Sequence, residues 1–153
     1  MAPGGRGTHR APGPVTQGFR EKSSMFNHIM VGSSDIERSK KFYDAVLGVI
    51  GAPEGVSNTA PTGHVRVAWR HNGGAFMVSQ PINDKPASYS NGGTIAFKCA
   101  TPEQVKQFHD IGVKMGGTSC EDPPGPRGTA GVHLSYVRDP DGHKLCALYR
   151  PAV

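Results

Sequence analysis

The stretch Phe26–Gly48, "FNHIMVGSSDIERSKKFYDAVLG", decides the fold because it predicts a strand followed at once by a helix. "FNHIMVG" alternates in hydropathy and is rich in β-forming residues, the pattern of a half-buried strand. The helix is predicted to be capped by Ser34, with Glu37 three residues on at the capping-box spacing, and to end at Gly48. A hairpin is predicted next, in residues 64–81, with an Asn-Gly pair in its turn.

The second half of the chain repeats this order of elements. "TIAFKCA", residues 94–100, predicts a strand, and residues 101–112 predict a helix with Thr101 as its cap. A last hairpin, residues 132–151, turns at "DPDG". A strand–helix–strands order that occurs twice is an internal repeat, and it predicts an α+β protein built from two similar modules.

Length and composition exclude several classes of protein. A chain of 153 residues is long enough for one domain with one substantial core. It contains no apolar run of membrane-spanning length and no secretory signal pattern, so neither a membrane nor a secreted location is predicted. The three cysteines are odd in number and lack paired spacing, which favours reduced thiols in a cytoplasmic protein.

The net charge of +5 is concentrated near the start of the chain. Residues 1–24 hold four basic residues against one acidic residue, and residues 25–153 hold 13 against 11. The first segment is rich in Gly and Pro and has few large apolar residues, so it is predicted to be a flexible basic tail. Its charges lack aromatic interleaving, so nucleic acid is not an expected partner.

Two segments carry a resemblance to a known family. The strand and helix of Phe26–Gly48 and "YVRDPDGHKLCAL", residues 136–148, resemble the vicinal oxygen chelate superfamily, the glyoxalase/bleomycin-resistance/dioxygenase group. The resemblance implies one domain, residues 25–153, of two βαβββ modules, about 25–86 and 87–153. It also implies that these modules form a curved mixed-sheet half-barrel around a cleft, and that the protein is a homodimer.

Strand alternation predicts which side chains face that cleft. If the helices cover the apolar side of each strand, the other side collects a polar and basic set, which is the predicted binding site for a small anionic molecule. The set is His28, His64, Arg66, Thr94, Lys98, Cys146 and Arg150. Residues 132–138 allow two assignments. Polarity places His133 and Ser135 on the cleft side, whereas matching Arg138 to Arg70 places Val132, Leu134 and Tyr136 there.

In the resembling metalloenzymes, the first and last strands of each module supply the metal ligands. A shift of 66 residues takes His28 to Thr94, so these are the first-strand positions. The last-strand positions are Cys146 and, when the terminal prolines of the hairpins are matched, Phe76, with Met77 next to it. Only His28 suits the ligand set that the resemblance implies. A rearranged zinc or nickel site of His28, His64 and Cys146 is the alternative prediction.

Two functions are therefore predicted, with no catalytic residue assigned to either. The first is a glyoxalase/bleomycin-resistance-type protein that binds a small anionic molecule in its cleft, with the standard metal ligands largely lost. The alternative is a glyoxalase-like metalloenzyme of the lactoylglutathione lyase type, in which His28 remains a ligand. The Pro/Gly-rich segment 121–131 is either a lid over the cleft, with Arg127 facing the ligand, or a plain connector.

Overall fold

A computed structural model describes residues 25–152, so the predicted tail, residues 1–24, lies outside the described part of the chain. The first module contains β1 (His28–Gly32), α1 (Ile36–Val49), β2 (Val56–Thr59), β3 (Val65–His71) and β4 (Gly74–Ser79). The second contains β5 (Ile95–Cys99), α2 (Pro102–Lys114), β6 (Thr118–Ser119), β7 (Gly125–Arg127), β8 (Val132–Arg138) and β9 (Lys144–Tyr149). The predicted α+β class and its repeat are confirmed.

Each module forms its own mixed sheet. The first sheet has the order β1-β4-β3-β2, and the second has the order β5-β9-β8-β6, with β7 also paired to β8. β1 is parallel to β4 and β5 is parallel to β9, while the remaining pairs are antiparallel. The modules differ at one place: where the first has the single strand β2, the second has β6 and β7, separated by residues 120–124.

The helix starts agree with the capping pattern, with one correction. Thr101 accepts a hydrogen bond from the backbone N–H of Gln104 at 3.1 Å, so it caps α2 as predicted. The cap of α1 is Asp35, whose carboxylate accepts from the N–H of Arg38 at 3.1 Å, and the prediction of Ser34 is wrong by one residue. The Ser34 hydroxyl instead accepts from the N–H of Ala87 at 2.8 Å, because the segment between the modules passes over it.

The two helices and the inward faces of both sheets share one core. α1 packs on β3 and β4, α2 packs on β8 and β9, and the helices also pack on each other. A chain of ring contacts runs through this core, with centroids 4.6 to 5.6 Å apart. The chain is Trp69, Tyr43, Phe76, Phe97 and Phe108. Since Phe76 belongs to the first sheet and Phe97 to the second, the modules are joined by apolar packing.

A buried polar contact also joins the modules. The turn between β8 and β9 brings Asp139 to the hydroxyl of Tyr43, which donates to the carboxylate at 2.5 Å. In the same turn, the His143 ring lies 2.8 Å from the carbonyl oxygen of Gly32. Burial raises the pKa of Asp139, although the Tyr43 hydrogen bond acts in the opposite direction. The turn of the second module is thus fixed to the first.

The assignment of strand faces from alternation is confirmed, and the structure decides the ambiguous strand. Ser135 and Val137 of β8 face the core, and the Ser135 hydroxyl donates to the carbonyl of Val105 in α2 at 2.8 Å. Leu134 and Tyr136 therefore face outward, so the polarity-based assignment is wrong. It failed because a helix carbonyl satisfies the serine hydroxyl inside the core.

Neither helix within residues 25–152 has the length and hydropathy that a bilayer crossing needs.

Candidate ligand-binding site

A pocket of about 330 Å³ lies on the outward face of the first sheet, where β1, β3 and β4 meet. Two of the predicted site residues, His64 and Arg66, line it, and every residue of its wall falls within residues 30–82. His64 and Arg66 are two positions apart at the start of β3, so alternation directs both side chains to this face. The structure thus brings together one pair from the predicted set, within a single module.

Arg66 is the charged group of this pocket. Its cross-strand neighbours are Asn58 on β2 and Ser79 on β4, so neither carries a carboxylate. The guanidinium Nε is buried and has no hydrogen-bond partner among residues 25–152. A buried donor without a partner costs roughly 1–3 kcal/mol, and more when it is charged. An anion that accepted from this nitrogen would remove that cost.

His64 stands beside Arg66 and is held from both ring nitrogens. Its Nδ1 lies 2.8 Å from the hydroxyl of Thr62, and its Nε2 lies 2.8 Å from a carboxylate oxygen of Asp84. Gln80 accepts from the N–H of Val65 at 2.8 Å through its side-chain oxygen, which leaves its NH₂ group available as a donor. The polar wall of the pocket therefore presents donors and one positive charge.

The opposite side of the pocket is apolar. Met30 and Ile82 line it and are 38% and 71% exposed. Met30 is also the first residue of an apolar row across the outward face. The row consists of the cross-strand neighbours Met30, Met77, Ala68 and Val56. A pocket with one basic side and one apolar side suits a ligand that has an anionic group and an apolar body.

The other predicted site residues lie elsewhere. Lys98 and Cys146 are on the outward face of the second sheet, Thr94 precedes β5, and Arg150 follows β9. His28 is on the outward side of β1 but does not line the pocket, and its Nδ1 lies 2.7 Å from the side chain of Asn27. Of the seven predicted site residues, only His64 and Arg66 line this pocket.

Cys146 on β9 lies opposite Tyr136 of β8. Although it faces outward, it is only 3% exposed. Its neighbour on the same face, Lys144, donates to the carboxylate of Glu121 in this segment at 2.6 Å. Burial raises the pKa of the Cys146 thiol, so the thiol stays protonated and unreactive.

Arg127 is turned toward its own loop. Its guanidinium donates to the carbonyl oxygens of Asp122, Pro123, Gly125 and Pro126 at 2.8 to 3.3 Å. Of the two predictions for segment 121–131, the role of Arg127 as a ligand-facing charge is therefore wrong, because its donors are used to fix the loop.

The side chains at the metal positions do not fit a divalent ion. Phe76 faces the core. Met30 pairs with Met77, and the equivalent residue of the second module, Ala96, pairs with Cys146, so Met77 is the counterpart of Cys146. The match based on the prolines was therefore off by one residue. Met77 and Thr94 are poor ligands for such an ion. Within residues 25–152, no group of three or more His, Cys, Asp or Glu is placed to hold a metal, so His28, His64 and Cys146 form no such group.

Sequence reasoning missed much of this pocket. Gln80 and Asp84 lie in the segment after β4, and their positions depend on how that segment folds back over Gly32. A Cβ on Gly32 would lie 3.2 Å from the Cβ of Ala87, so this segment packs closely on Gly32. The turn-forming pair Asn83-Asp84 was visible, but no periodicity predicts where a loop docks.

The comparisons with known proteins agree with this fold. The family model of the Glyoxalase/Bleomycin resistance protein/Dioxygenase superfamily matches residues 25–147. A crystal structure of a glyoxalase/bleomycin resistance protein from Albidiferax ferrireducens T118 is 49% identical, with a TM-score of 0.77, over 84% of this chain and 100% of that chain. A comparison with curated protein sequences gave no significant match.

More distant structures share the fold alone. A glyoxalase-related enzyme from Fulvimarina pelagi is 21% identical, with a TM-score of 0.61, over 81% of this chain and 86% of that chain. Glyoxalase I from Zea mays is 17% identical, with a TM-score of 0.60, over 80% of this chain and 45% of that chain. The chain belongs to the glyoxalase/bleomycin resistance protein/dioxygenase superfamily.

Proposed function

We propose that this protein binds small carboxylates with an apolar body in the pocket around Arg66, and that this binding does not depend on a metal ion. The observation that carries the proposal is the Arg66 guanidinium, whose buried Nε has no partner among residues 25–152. It is the only basic side chain that lines the 330 Å³ pocket apart from His64.

A carboxylate matches this arrangement better than a neutral group. Guanidinium and carboxylate form paired, charge-assisted hydrogen bonds that are about twice as strong as neutral ones. Because Arg66 has no counter-charge on its cross-strand neighbours, the ligand supplies that charge without displacing a residue from the guanidinium. The apolar part of the ligand then packs against Met30 and Ile82, which removes their exposed area from water.

Two further parts of the proposal concern the protein's setting. A homodimer is supported by the outward apolar row of Met30, Met77, Ala68 and Val56, since a second copy would cover the 69% exposed Val56. The thiols of Cys99, Cys120 and Cys146 are free, which fits a reducing, cytoplasmic location.

The test is a binding titration of chelator-treated protein with phenylacetate and with its neutral amide, phenylacetamide. We expect phenylacetate to bind more tightly than the amide, and Arg66→Leu to weaken phenylacetate binding at least about tenfold. Arg70→Leu is the matched control, because Arg70 is an exposed arginine on the same strand and face but does not line the pocket.

Two results would overturn the proposal. One is equal affinity of wild type and Arg66→Leu for phenylacetate. The other is stoichiometric zinc uptake after chelation together with phenylacetate binding by the zinc-loaded form alone.

A further inference from the structure

The contact between His64 and Asp84 lies where two pockets meet. A second pocket, of about 350 Å³, is lined by Asp84, Lys85 and Ser34, and it shares His64, Gln80 and Pro81 with the first. The imidazole therefore lines both pockets, while Arg66 lines the first and Asp84 lines the second. The Asp84 carboxylate oxygen lies 2.8 Å from His64 Nε2.

The two partners of this hydrogen bond differ sharply in exposure. The His64 side chain is 14% exposed, whereas the Asp84 side chain is 84% exposed. His64 is also held by Thr62 at its other nitrogen, so the imidazole has a fixed position in the wall. Asp84 is a solvated carboxylate that reaches back to it from a loop.

The backbone at Asp84 adds a second observation. Its φ is +61°, in the left-handed region that non-glycine residues seldom adopt. Asp and Asn adopt this region more readily than most residues, and the N–H of Asp84 also donates to the carbonyl of Pro81 at 3.0 Å. Because the Asp84 side chain is 84% exposed, water can hydrate its carboxylate once the contact opens, which lowers the cost of releasing it.

We propose that Asp84 is an internal competitor of the ligand: its carboxylate occupies the Nε2 side of His64 in the free protein, and a ligand carboxylate bound by Arg66 replaces it. This inference rests on the proposed function and concerns the same site. It identifies His64 as the second donor to the ligand carboxylate and Asp84 as the residue that sets the affinity. His64 and Arg66 are two residues apart on one strand face, roughly 7 Å between their Cα atoms, so one carboxylate can reach both side chains.

Removing the charge of the competitor should tighten binding. Asp84→Asn keeps a residue that tolerates a positive φ but replaces the carboxylate by a neutral amide. We expect about two- to fivefold tighter binding of phenylacetate, because a neutral amide competes for His64 less strongly than a carboxylate does. The matched control is Asp110→Asn, because Asp110 is likewise an exposed carboxylate next to a histidine, with His109 Nδ1 at 2.9 Å, and lies on α2 away from the pocket.

Each outcome of this experiment has a defined meaning. Tighter binding for Asp84→Asn, with Asp110→Asn like wild type, supports the inference, and adding His64→Ala should then cancel the gain. Equal gains in both variants would show a long-range charge effect and overturn it. No gain in Asp84→Asn, while Arg66→Leu still loses binding, would overturn the inference and leave the proposed function standing. If wild type and Asp84→Asn both fail to bind phenylacetate, the proposed function fails as well.

A second measurement does not depend on the size of the affinity change. The ring nitrogen signals of His64 report on the partner of Nε2. We expect the His64 Nε2 signal to move on Asp84→Asn substitution and on addition of phenylacetate to wild type. A His64 signal that stays fixed while phenylacetate binds would contradict the exchange of partners.

Discussion

The two modules share one topology but treat their outward faces in opposite ways. In the first module the strand next to β3 is continuous, and the outward face keeps an open pocket at Arg66. In the second module the equivalent strand is interrupted, and residues 120–124 lie beside Lys144 and the nearly inaccessible Cys146. The two sheets thus have equivalent strand orders but differ in how accessible their outward faces are.

Two arginines show the same contrast in their hydrogen bonds. Arg127 gives its donors to four carbonyl oxygens of its own loop. The buried Nε of Arg66 has no partner among residues 25–152. An arginine whose donors are already used supports the fold, whereas an arginine with a free buried donor is available to a ligand. The number of basic residues on a face is thus a poor guide to which face binds an anion.

The largest effect on stability is expected at a helix position where both modules have an aspartate but only the aspartate of the first module accepts hydrogen bonds from other elements. A shift of 66 residues takes Asp44 to Asp110. Asp44 accepts from the N–H of Gly55 and from the indole of Trp69, both at 2.8 Å, whereas Asp110 is on an exposed helix surface. We expect Asp44→Ala to lower the free energy of unfolding by roughly 2–3 kcal/mol and Asp110→Ala by less than about 0.5 kcal/mol, measured by urea unfolding. Equal losses would contradict the structural difference between these positions.

Arg127→Leu should open the covered face of the second module. The loss of four hydrogen bonds in a partly exposed loop is expected to cost about 1–2 kcal/mol. Cys146 should then react faster with an alkylating reagent, because the segment over it is no longer fixed. Cys99, whose pKa burial raises to about 11, lies in the core and is the internal control. Unchanged reactivity of Cys146 in the folded variant would show that Arg127 does not hold the cover.

Arg66→Leu should have the opposite effects, a loss of ligand binding without a loss of stability. It should leave the free energy of unfolding unchanged or slightly higher, because it removes a buried donor that has no partner. The same variant should lose phenylacetate binding at least about tenfold, while Arg127→Leu keeps it. A large loss of stability in Arg66→Leu would mean that the guanidinium supports the fold and would contradict this account.

The smallest expected effect is a pH dependence in the first module. Burial acts to raise the pKa of Asp44, but its hydrogen bonds with Gly55, Lys40 and Trp69 prevail and lower the pKa below its usual value near 3.8. A depressed pKa means that the carboxylate stabilises the folded state above about pH 4, and that this contribution is lost as the pH falls through the folded-state pKa. We expect Asp44→Ala to unfold with a weaker dependence on pH between about 2 and 4 than wild type. An unaltered acid profile would show that Asp44 is not a source of acid sensitivity.

The sequence was sufficient for the repeat and for the faces of the strands other than β8, because both follow from periodicity. It failed by one residue at Phe76, since matching the prolines assumed equal distances from strand to proline. Met77 is four residues before Pro81, and Cys146 is five residues before Pro151. A slip of one residue moves a side chain to the other face of a sheet, which is why Phe76 lies in the core.

The accessibility of the outward faces could not be predicted from the sequence. Alternation places both Lys98 and Arg66 on the outward face of a sheet, yet only Arg66 lines the pocket. The reason is that the segment after β4 folds back over Gly32 and forms part of the pocket wall. Likewise, Arg127 has the charge expected of a ligand contact, but its guanidinium donates to backbone carbonyl oxygens of its own loop. Backbone acceptors occur at every residue, so no pattern of side chains reveals which of them an arginine will meet.

The most direct test of ligand binding at Arg66 is a map of amide chemical-shift changes when phenylacetate is added to the full chain. We expect the changes to cluster at Met30, His64, Arg66 and Ser79 on the outward face of the first sheet. Changes centred on Lys98, Cys146 and Leu148, on the outward face of the second sheet, would contradict it.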